Sequence, residues 1–243
     1  MKFLFVGMFF LHLFVMNAQT LEGIVIEKYA VADSLGSKRV FIPAGSVTYR
    51  IYADLSPDAY LQSMFASKDH ELVFKTSTKF HNHLYGALYG DGLVDMYALD
   101  PEIALDSWIT IGAASRKHIG IPLDADSDGS VISHSYFKKR DGLIASEIPQ
   151  IIKYKFDVVP FDALGGSEFR SSDAFIGVKG GVKGADAQNR VLLAQFTTDG
   201  EIYFELNLQL GTNVSGVSKQ YVAKSPAENQ STIEGLVYGN KKP

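Results

Sequence analysis

The sequence predicts an all-β protein: an antiparallel β-sandwich or jelly roll with at most one or two short helices. Many short runs rich in β-branched and aromatic residues alternate with turns that contain Gly, Pro or Asp. No amphipathic stretch of helical period exceeds about a dozen residues. Short strands separated by such turns are typical of sandwiches and jelly rolls.

The strongest strand signal lies near the C-terminus. An apolar run over 191–196 is followed by Asp199-Gly200 and then by a strict alternation, whose apolar members are Ile202, Phe204, Leu206, Leu208 and Leu210. This alternation predicts a strand with one buried and one wet face, and Asp-Gly between two such runs predicts a hairpin. A second two-faced strand is predicted over 47–54. Further strands are predicted over 21–31, 59–65, 71–80, 107–113, 153–159, 174–178, 217–223 and 232–238.

Two other segments have a predicted structure. Pro101 after Asp100 suits the first position of a short helix. The glycine-rich segment 177–184 does not have the ending of a phosphate-binding loop and does not precede a helix. It is predicted to be a mobile surface loop, with a hinge between two sandwiches as the alternative.

The N-terminus indicates export. Lys2 precedes an apolar run over 3–16, and Asn17, Ala18 and Gln19 follow. A positive start, an apolar stretch and a small-residue exit form a secretory signal. The run of roughly 14 residues is shorter than the 20 or so that a bilayer-spanning helix needs. We expect a cleaved signal peptide over 1–18, a single β-sandwich domain over 19–243, and no integral membrane segment after cleavage.

Composition narrows the class of protein. The chain has 46% hydrophobic residues, enough for a sizeable core, and a formal net charge of −4. Such a charge provides no basic patch for nucleic acid. An exported chain without cysteine has no disulfide framework. We expect a secreted or periplasmic protein of the bacterial envelope.

Four segments carry a resemblance. They are TYRIYAD at 48–54, TSTKF at 76–80, LDSWITIG at 105–112 and QFTTDG at 195–200. Together they resemble a group of uncharacterised secreted bacterial proteins, of a type found in Bacteroidetes, over roughly 23–210. The resemblance implies export and a shared β fold, and it implies no reaction. Relatives often carry anchoring or sorting segments, and none is recognisable before Pro243.

One acidic motif predicts a calcium site. Three carboxylates at alternate positions precede Gly129: Asp124, Asp126 and Asp128. This is the first half of an EF-hand-type loop, in which glycine lets the oxygen ligands converge on one ion. The twelfth position is Ser135 rather than a bidentate glutamate, so weak binding is expected. A solvated acidic turn is the alternative.

The irregular segment 81–97 combines aromatic and polar residues with three glycines. Loops of this kind carry sites on rigid scaffolds, so we predict that the ligand-contacting residues are His81, His83, Tyr85, Tyr89 and Asp91. A connection whose tyrosines cover the edge of the core is the alternative. A zinc site at the two histidines would need further ligands that the sequence does not supply. Trp108, set among apolar residues, is predicted to be core rather than a sugar-stacking surface.

These observations lead to a functional expectation. The sequence contains neither a Gly-x-Ser-x-Gly elbow nor a His-Glu-x-x-His motif. We predict an exported, non-catalytic binding protein whose partner is an extracellular glycan, another envelope component or a surface protein. The alternatives are a secreted polysaccharide-active hydrolase and a structural subunit of a surface assembly.

Overall fold

The computed structural model describes residues 20–32, 42–94, 100–129, 132, 139–155, 157, 161, 165–211 and 217–239. The expected signal peptide lies outside these residues, as do Gln19, Tyr97 and Ser135. Within them the chain forms strands and one helical turn, so the all-β sandwich prediction is confirmed. No helix of the described ranges is both long and apolar enough to cross a membrane.

The described residues form sixteen strands and one α-helical turn. The strands are β1 Leu21–Val31, β2 Val47–Leu55, β3 Tyr60–Phe65, β4 Leu72–Thr76, β5 Trp108–Ile109, β6 His118–Gly120, β7 Leu143–Ala145, β8 Ile151–Tyr154, β9 Glu168–Ser171, β10 Phe175–Val182, β11 Arg190–Thr198, β12 Ile202–Glu205, β13 Leu208–Gly211, β14 Ser218–Tyr221, β15 Gln230–Ser231 and β16 Val237–Tyr238. Helix α1 spans Pro101–Ala104. Asp100 caps it as predicted, because its side chain accepts the backbone N–H of Glu102.

The strands form three main sheets and a small pair. Sheet I has the order β1-β2-β11-β5, sheet II the order β15-β14-β13-β3-β10-β8, and sheet III the order β16-β12-β4-β9. Strands β6 and β7 pair with each other. Every pairing is antiparallel except that of β14 with β15.

The main core lies between sheet I and the other two sheets. Ile51 and Phe196 of sheet I, Leu208 of sheet II, and Phe74 and Phe204 of sheet III belong to one buried cluster. The Phe74 and Phe196 rings are 5.0 Å apart between centroids. Burial of such side chains contributes roughly 1.5–3 kcal/mol each to folding.

A second core covers the opposite face of sheet I. Tyr52, Leu192 and Trp108 pack there against Ile103 of α1 and Leu143 of β7. Trp108 is 1% exposed, as the prediction of a core residue requires. The prediction of a wet face for β2 is wrong, because α1 and the loops around it cover that face.

The polar members of this covered face find partners inside the protein. The Nε of Arg50 donates to Gln195 Oε1 at 2.9 Å, and its Nη1 donates to the Gly142 carbonyl at 3.0 Å. The guanidinium also lies 3.6 Å from the centroid of the Tyr29 ring. Hydrogen bonds of this kind offset the free-energy cost of burying a polar group.

The predicted hairpin around Asp199-Gly200 is wrong. Strand β11 pairs with β2 and β5, whereas β12 pairs with β4 and β16. The turn therefore carries the chain from sheet I across to sheet III. The predicted wet face of the second strand is also wrong, because Tyr203, Glu205 and Asn207 are buried.

Asn207 marks the point where the chain passes from sheet III to sheet II. β12 pairs with β4 and β13 pairs with β3, and the connection between those partners bulges out over 66–71. Asn207 Nδ2 donates to the carbonyls of Phe65, His70 and Glu71 at 3.2, 3.2 and 2.9 Å. One side chain thus holds the two ends of the bulge together, and the His70 carbonyl also accepts the Ser67 N–H at 2.8 Å.

The glycine-rich segment is mostly strand. β10 continues through Val182, and its register against β3 shifts between Gly177 and Val182. Gly180 and Gly181 have φ of 83° and 78°, a left-handed conformation that glycine adopts without strain. The segment predicted as a mobile loop is therefore the bulged half of a paired strand.

Candidate ligand-binding site

The loop predicted to contact a ligand is irregular, as expected. Its described part covers 81–94. A hydrogen bond of 2.8 Å from the Gly86 N–H to the His83 carbonyl closes a tight turn, and a 3-10 turn follows at Gly90–Gly92. The tip of the tight turn is exposed: Leu84 is 84% and Tyr85 60% accessible.

Asp106 fixes this turn from below. Its Oδ1 accepts the His83 N–H and its Oδ2 accepts the Ala87 N–H, both at 2.7 Å. A Cβ at Gly86 would lie 2.1 Å from Asp106 Oδ2, so only glycine fits there. The exposed tip therefore stands on a rigid base, because charge-assisted hydrogen bonds to a buried carboxylate are strong.

The five predicted ligand residues are divided among three environments. Tyr85 faces outward, while His81 and His83 are turned toward the protein. Asp91 forms an ion pair with Lys153 of β8 at 2.7 Å, and the same Nζ lies 4.2 Å from the centroid of the Tyr89 ring. Tyr89 and Asp91 thus tie the loop to the edge of sheet II.

The two histidines form a partly buried pair whose ring centroids are 6.4 Å apart. Burial and the neighbouring His83 lower the pKa of His81 to about 4. His83 Nδ1 accepts the backbone N–H of Tyr85 at 3.1 Å. His81 is therefore neutral at physiological pH.

The acidic motif is split by the fold. Asp124 is exposed and its Oδ1 lies 3.0 Å from Arg190 Nη2. Asp126 is buried, and its Oδ2 accepts the backbone N–H groups of Asp141 and Gly142 at 2.9 and 2.8 Å. Among the residues that the structure describes, no group of three or more His, Asp or Glu side chains is arranged to hold a metal.

Asp128 is the motif residue that stays closest to the predicted role. Its backbone N–H donates to Asp126 Oδ1 at 3.3 Å. Asp128 is exposed, and some desolvation, a hydrogen bond with Asp126, and the charges of Asp126 and Asp141 raise its pKa. Ser135 lies outside the described residues, so the calcium site stays a prediction.

The sequence reasoning missed one concave surface. It is a groove of about 470 Å3 at one end of the sandwich, where sheets I and III part. We call it the mouth groove; it is lined by Gly45, Val47, Tyr49, Ser77, Thr78, Thr198, Asp199, Gly200 and Glu201. Three of the four segments that carry the resemblance contribute to it, because β2, the end of β4 and the 199–200 turn meet there.

Hydroxyl groups organise the walls of the mouth groove. Thr198 Oγ1 lies 2.8 Å from Thr76 Oγ1 and 3.0 Å from Thr78 Oγ1. Thr78 in turn donates to Asp199 Oδ1 at 2.6 Å, and Ser77 Oγ accepts the Glu201 N–H at 2.9 Å. These side chains are therefore held in place by one another and by the Glu201 backbone.

Gly200 lets the two walls approach each other. A Cβ there would be 2.6 Å from both Ser77 Oγ and Thr78 Oγ1. The Gly200 N–H also donates to Thr198 Oγ1 at 3.0 Å. Gly200 thus allows a close contact between sheets I and III, and the Asp-Gly turn does not form a hairpin.

Aromatic surface borders the same groove. Tyr49 lines it, and partial burial together with nearby Tyr238 raises the pKa of Tyr49. Tyr238 is 40% exposed and stacks on Phe204 with centroids 5.4 Å apart. The mouth groove therefore combines an aromatic wall with hydroxyl and carboxylate groups.

Comparison with known proteins gave no significant match to a family model, a curated protein or a solved structure.

Proposed function

We propose that the protein is exported and non-catalytic, and that it binds an extracellular glycan in the mouth groove. The proposal rests on one observation. Tyr49, hydroxyl groups held in place by hydrogen bonds, and two carboxylates line the same concave surface. Binding sites are usually concave and combine apolar surface with a few placed polar groups.

The chemistry of the groove matches a sugar. The apolar face of a pyranose packs on an aromatic ring, for which Tyr49 is available. The hydroxyl groups of a sugar need both donors and acceptors, and Thr78, Ser77 and Asp199 supply them. Because these groups are already fixed by Thr198 and by the Glu201 backbone, little conformational entropy is lost on binding.

A glycan array with the mature protein tests the proposal. Tyr49→Ala and Thr78→Val should each weaken binding to any glycan that the parent retains by about tenfold or more. The variant Tyr85→Ala, on the loop predicted from sequence to contact the ligand, shows whether that loop or the mouth groove is the binding site. Binding that survives Tyr49→Ala and is lost in Tyr85→Ala would move the site to the loop, provided that melting temperatures are unchanged.

A hydrolase is the second candidate, because Asp199 and Glu201 place two carboxyl groups in the same groove. Glycosidases use such a pair, as acid and as base or nucleophile. Release of reducing ends from a bound glycan, abolished by Asp199→Asn or Glu201→Gln, would replace the binding proposal with this one. We expect the bound glycan to be recovered intact.

A further inference from the structure

We infer that the mouth groove selects glycans without anionic groups and prefers those that carry free amines. This inference rests on the proposed function and names the class of ligand. Its basis is the charge of the groove: Asp199 and Glu201 are close in sequence, but only the folded chain places them in one concave surface with Tyr49 and Thr78.

The lining of the groove is acidic. Of the nine lining residues that the structure describes, Asp199 and Glu201 are charged and the other seven are not. Lys28 stands opposite Tyr49 in the β1–β2 register, but it is not among the lining residues. The formal net charge of −4 for the whole chain adds to the repulsion of anions at longer range.

Asp199 is exposed, and its hydrogen bonding engages one of its two carboxylate oxygens. Oδ1 accepts the Thr78 hydroxyl at 2.6 Å, which fixes the carboxylate. Among the described residues Oδ2 has no hydrogen-bond partner. An ionised carboxylate only accepts hydrogen bonds, so its partner must donate, as sugar hydroxyls and ammonium groups do. A sulfate or uronate group would instead face the like charges of Asp199 and Glu201.

Three hexasaccharides with the same β-1,4 linkage test the inference. They are cellohexaose, its C6-oxidised uronate form and the glucosamine hexamer, which are neutral, anionic and cationic. Calorimetric titration at low salt should rank the glucosamine hexamer first and the uronate last. Unit charges about 4 Å apart in water correspond to roughly a fivefold change in affinity, so each step should be at least that large. The spread should shrink as salt is added.

Variants distinguish a wrong ligand class from a wrong function. In Asp199→Asn/Glu201→Gln the three ligands should bind within about twofold of one another, whereas Asp58→Asn, an exposed carboxylate elsewhere, should keep the parent ranking. Uronate binding that equals or exceeds cellohexaose binding, and that depends on Tyr49, would overturn the charge inference and leave the glycan function standing. No binding of any of the three, nor of any glycan on the array, would overturn the function and this inference with it.

Discussion

The buried carboxylate of Asp106 accepts a 2.7 Å hydrogen bond from the backbone N–H of His83, 23 positions earlier in the chain. Its other oxygen accepts the Ala87 N–H. One side chain thus sets the course of the exposed turn between those residues. Part of the LDSW segment, which the sequence offered only as a resemblance, acquires a physical role.

We expect Asp106→Ala to lower the free energy of unfolding by about 3 kcal/mol. Two buried N–H groups would lose their acceptor, and each unsatisfied group costs about 1–3 kcal/mol. Urea denaturation measures the change. Asp58→Ala removes an exposed carboxylate and should stay within about 0.5 kcal/mol of the parent. A loss of stability no larger than that of Asp58→Ala would show that the turn does not depend on Asp106.

Gly86→Ala should destabilise the protein through the same contact. The new methyl group would meet Asp106 Oδ2 at 2.1 Å, so the turn or the carboxylate must move. In a double-mutant cycle Gly86→Ala should cost clearly less when Asp106 is already Ala, because the clash is then removed. Gly23→Ala is the control, since a Cβ there meets nothing within 4 Å. Strict additivity in the cycle would contradict the contact.

The sequence predicted where strands form better than it predicted which strands pair with each other. Strand β1 has the predicted bounds, 21–31, because its alternation and composition are local properties. The Asp199-Gly200 turn has the composition of a hairpin, yet β12 pairs with β4, whose residues are far away in sequence. Local turn chemistry permits a reversal of direction, but sheet packing decides whether the two arms pair.

Two-faced strands were overpredicted for a related reason. Arg50 and Asn207 occupy polar positions of alternating segments, and both are buried. A polar residue in an alternating strand is exposed only if no other layer covers its face of the sheet. Here α1, loops and the 66–71 bulge cover these faces. The mouth groove was missed because three separate segments build it. In the sequence, the groove was indicated only by Thr and Ser residues near the ends of predicted strands.

Stability should depend on pH through His81. Its folded pKa of about 4 is below the ordinary value of 6.5, so between these values the unfolded chain binds a proton that the folded protein does not. The free energy of unfolding must therefore fall as pH falls from 6.5 towards 4, by an amount on the order of 2–3 kcal/mol. Denaturation curves at several pH values measure it.

The variant His81→Gln isolates this contribution from that of carboxyl groups titrating in the same range. Glutamine is polar and neutral, and it has no proton to gain in this pH range. Its stability should decline less than that of the parent between pH 6.5 and 4.5. Equal slopes for the two proteins would mean that His81 titrates normally in the folded state.

Asn207→Ala should be among the most destabilising single changes in sheets II and III. The amide donates to three carbonyls, and its oxygen accepts the Ala223 N–H at 3.0 Å. We expect a loss of about 3 kcal/mol by urea denaturation. Asn207→Asp should be comparably harmful, since a carboxylate would face carbonyl oxygens. Asn229→Ala, at an exposed position, should be nearly neutral. If Asn207→Asp matched the parent, the described hydrogen bonds would be wrong.

Calcium binding by the acidic motif can now be tested without disturbing the fold. Asp126 holds two backbone amides, so Asp126→Ala should lower the melting temperature with or without calcium. Asp128→Asn is the better probe, because Asp128 is exposed; desolvation, its hydrogen bond with Asp126 and the negative charges of Asp126 and Asp141 raise its pKa. Bound calcium would relieve that repulsion.

About 10 mM calcium, some tenfold above the weakest extracellular affinities, should raise the melting temperature of the parent. A ligand that binds only the folded state stabilises it by RT ln(1 + [L]/Kd), about 2.7 kcal/mol at a hundredfold excess over Kd. The rise should be smaller in Asp128→Asn and unchanged in Asp58→Asn. Magnesium at the same concentration controls for general screening of charge. If calcium and magnesium shift the parent equally, or neither shifts it, Asp124, Asp126 and Asp128 form an acidic turn and not a calcium site.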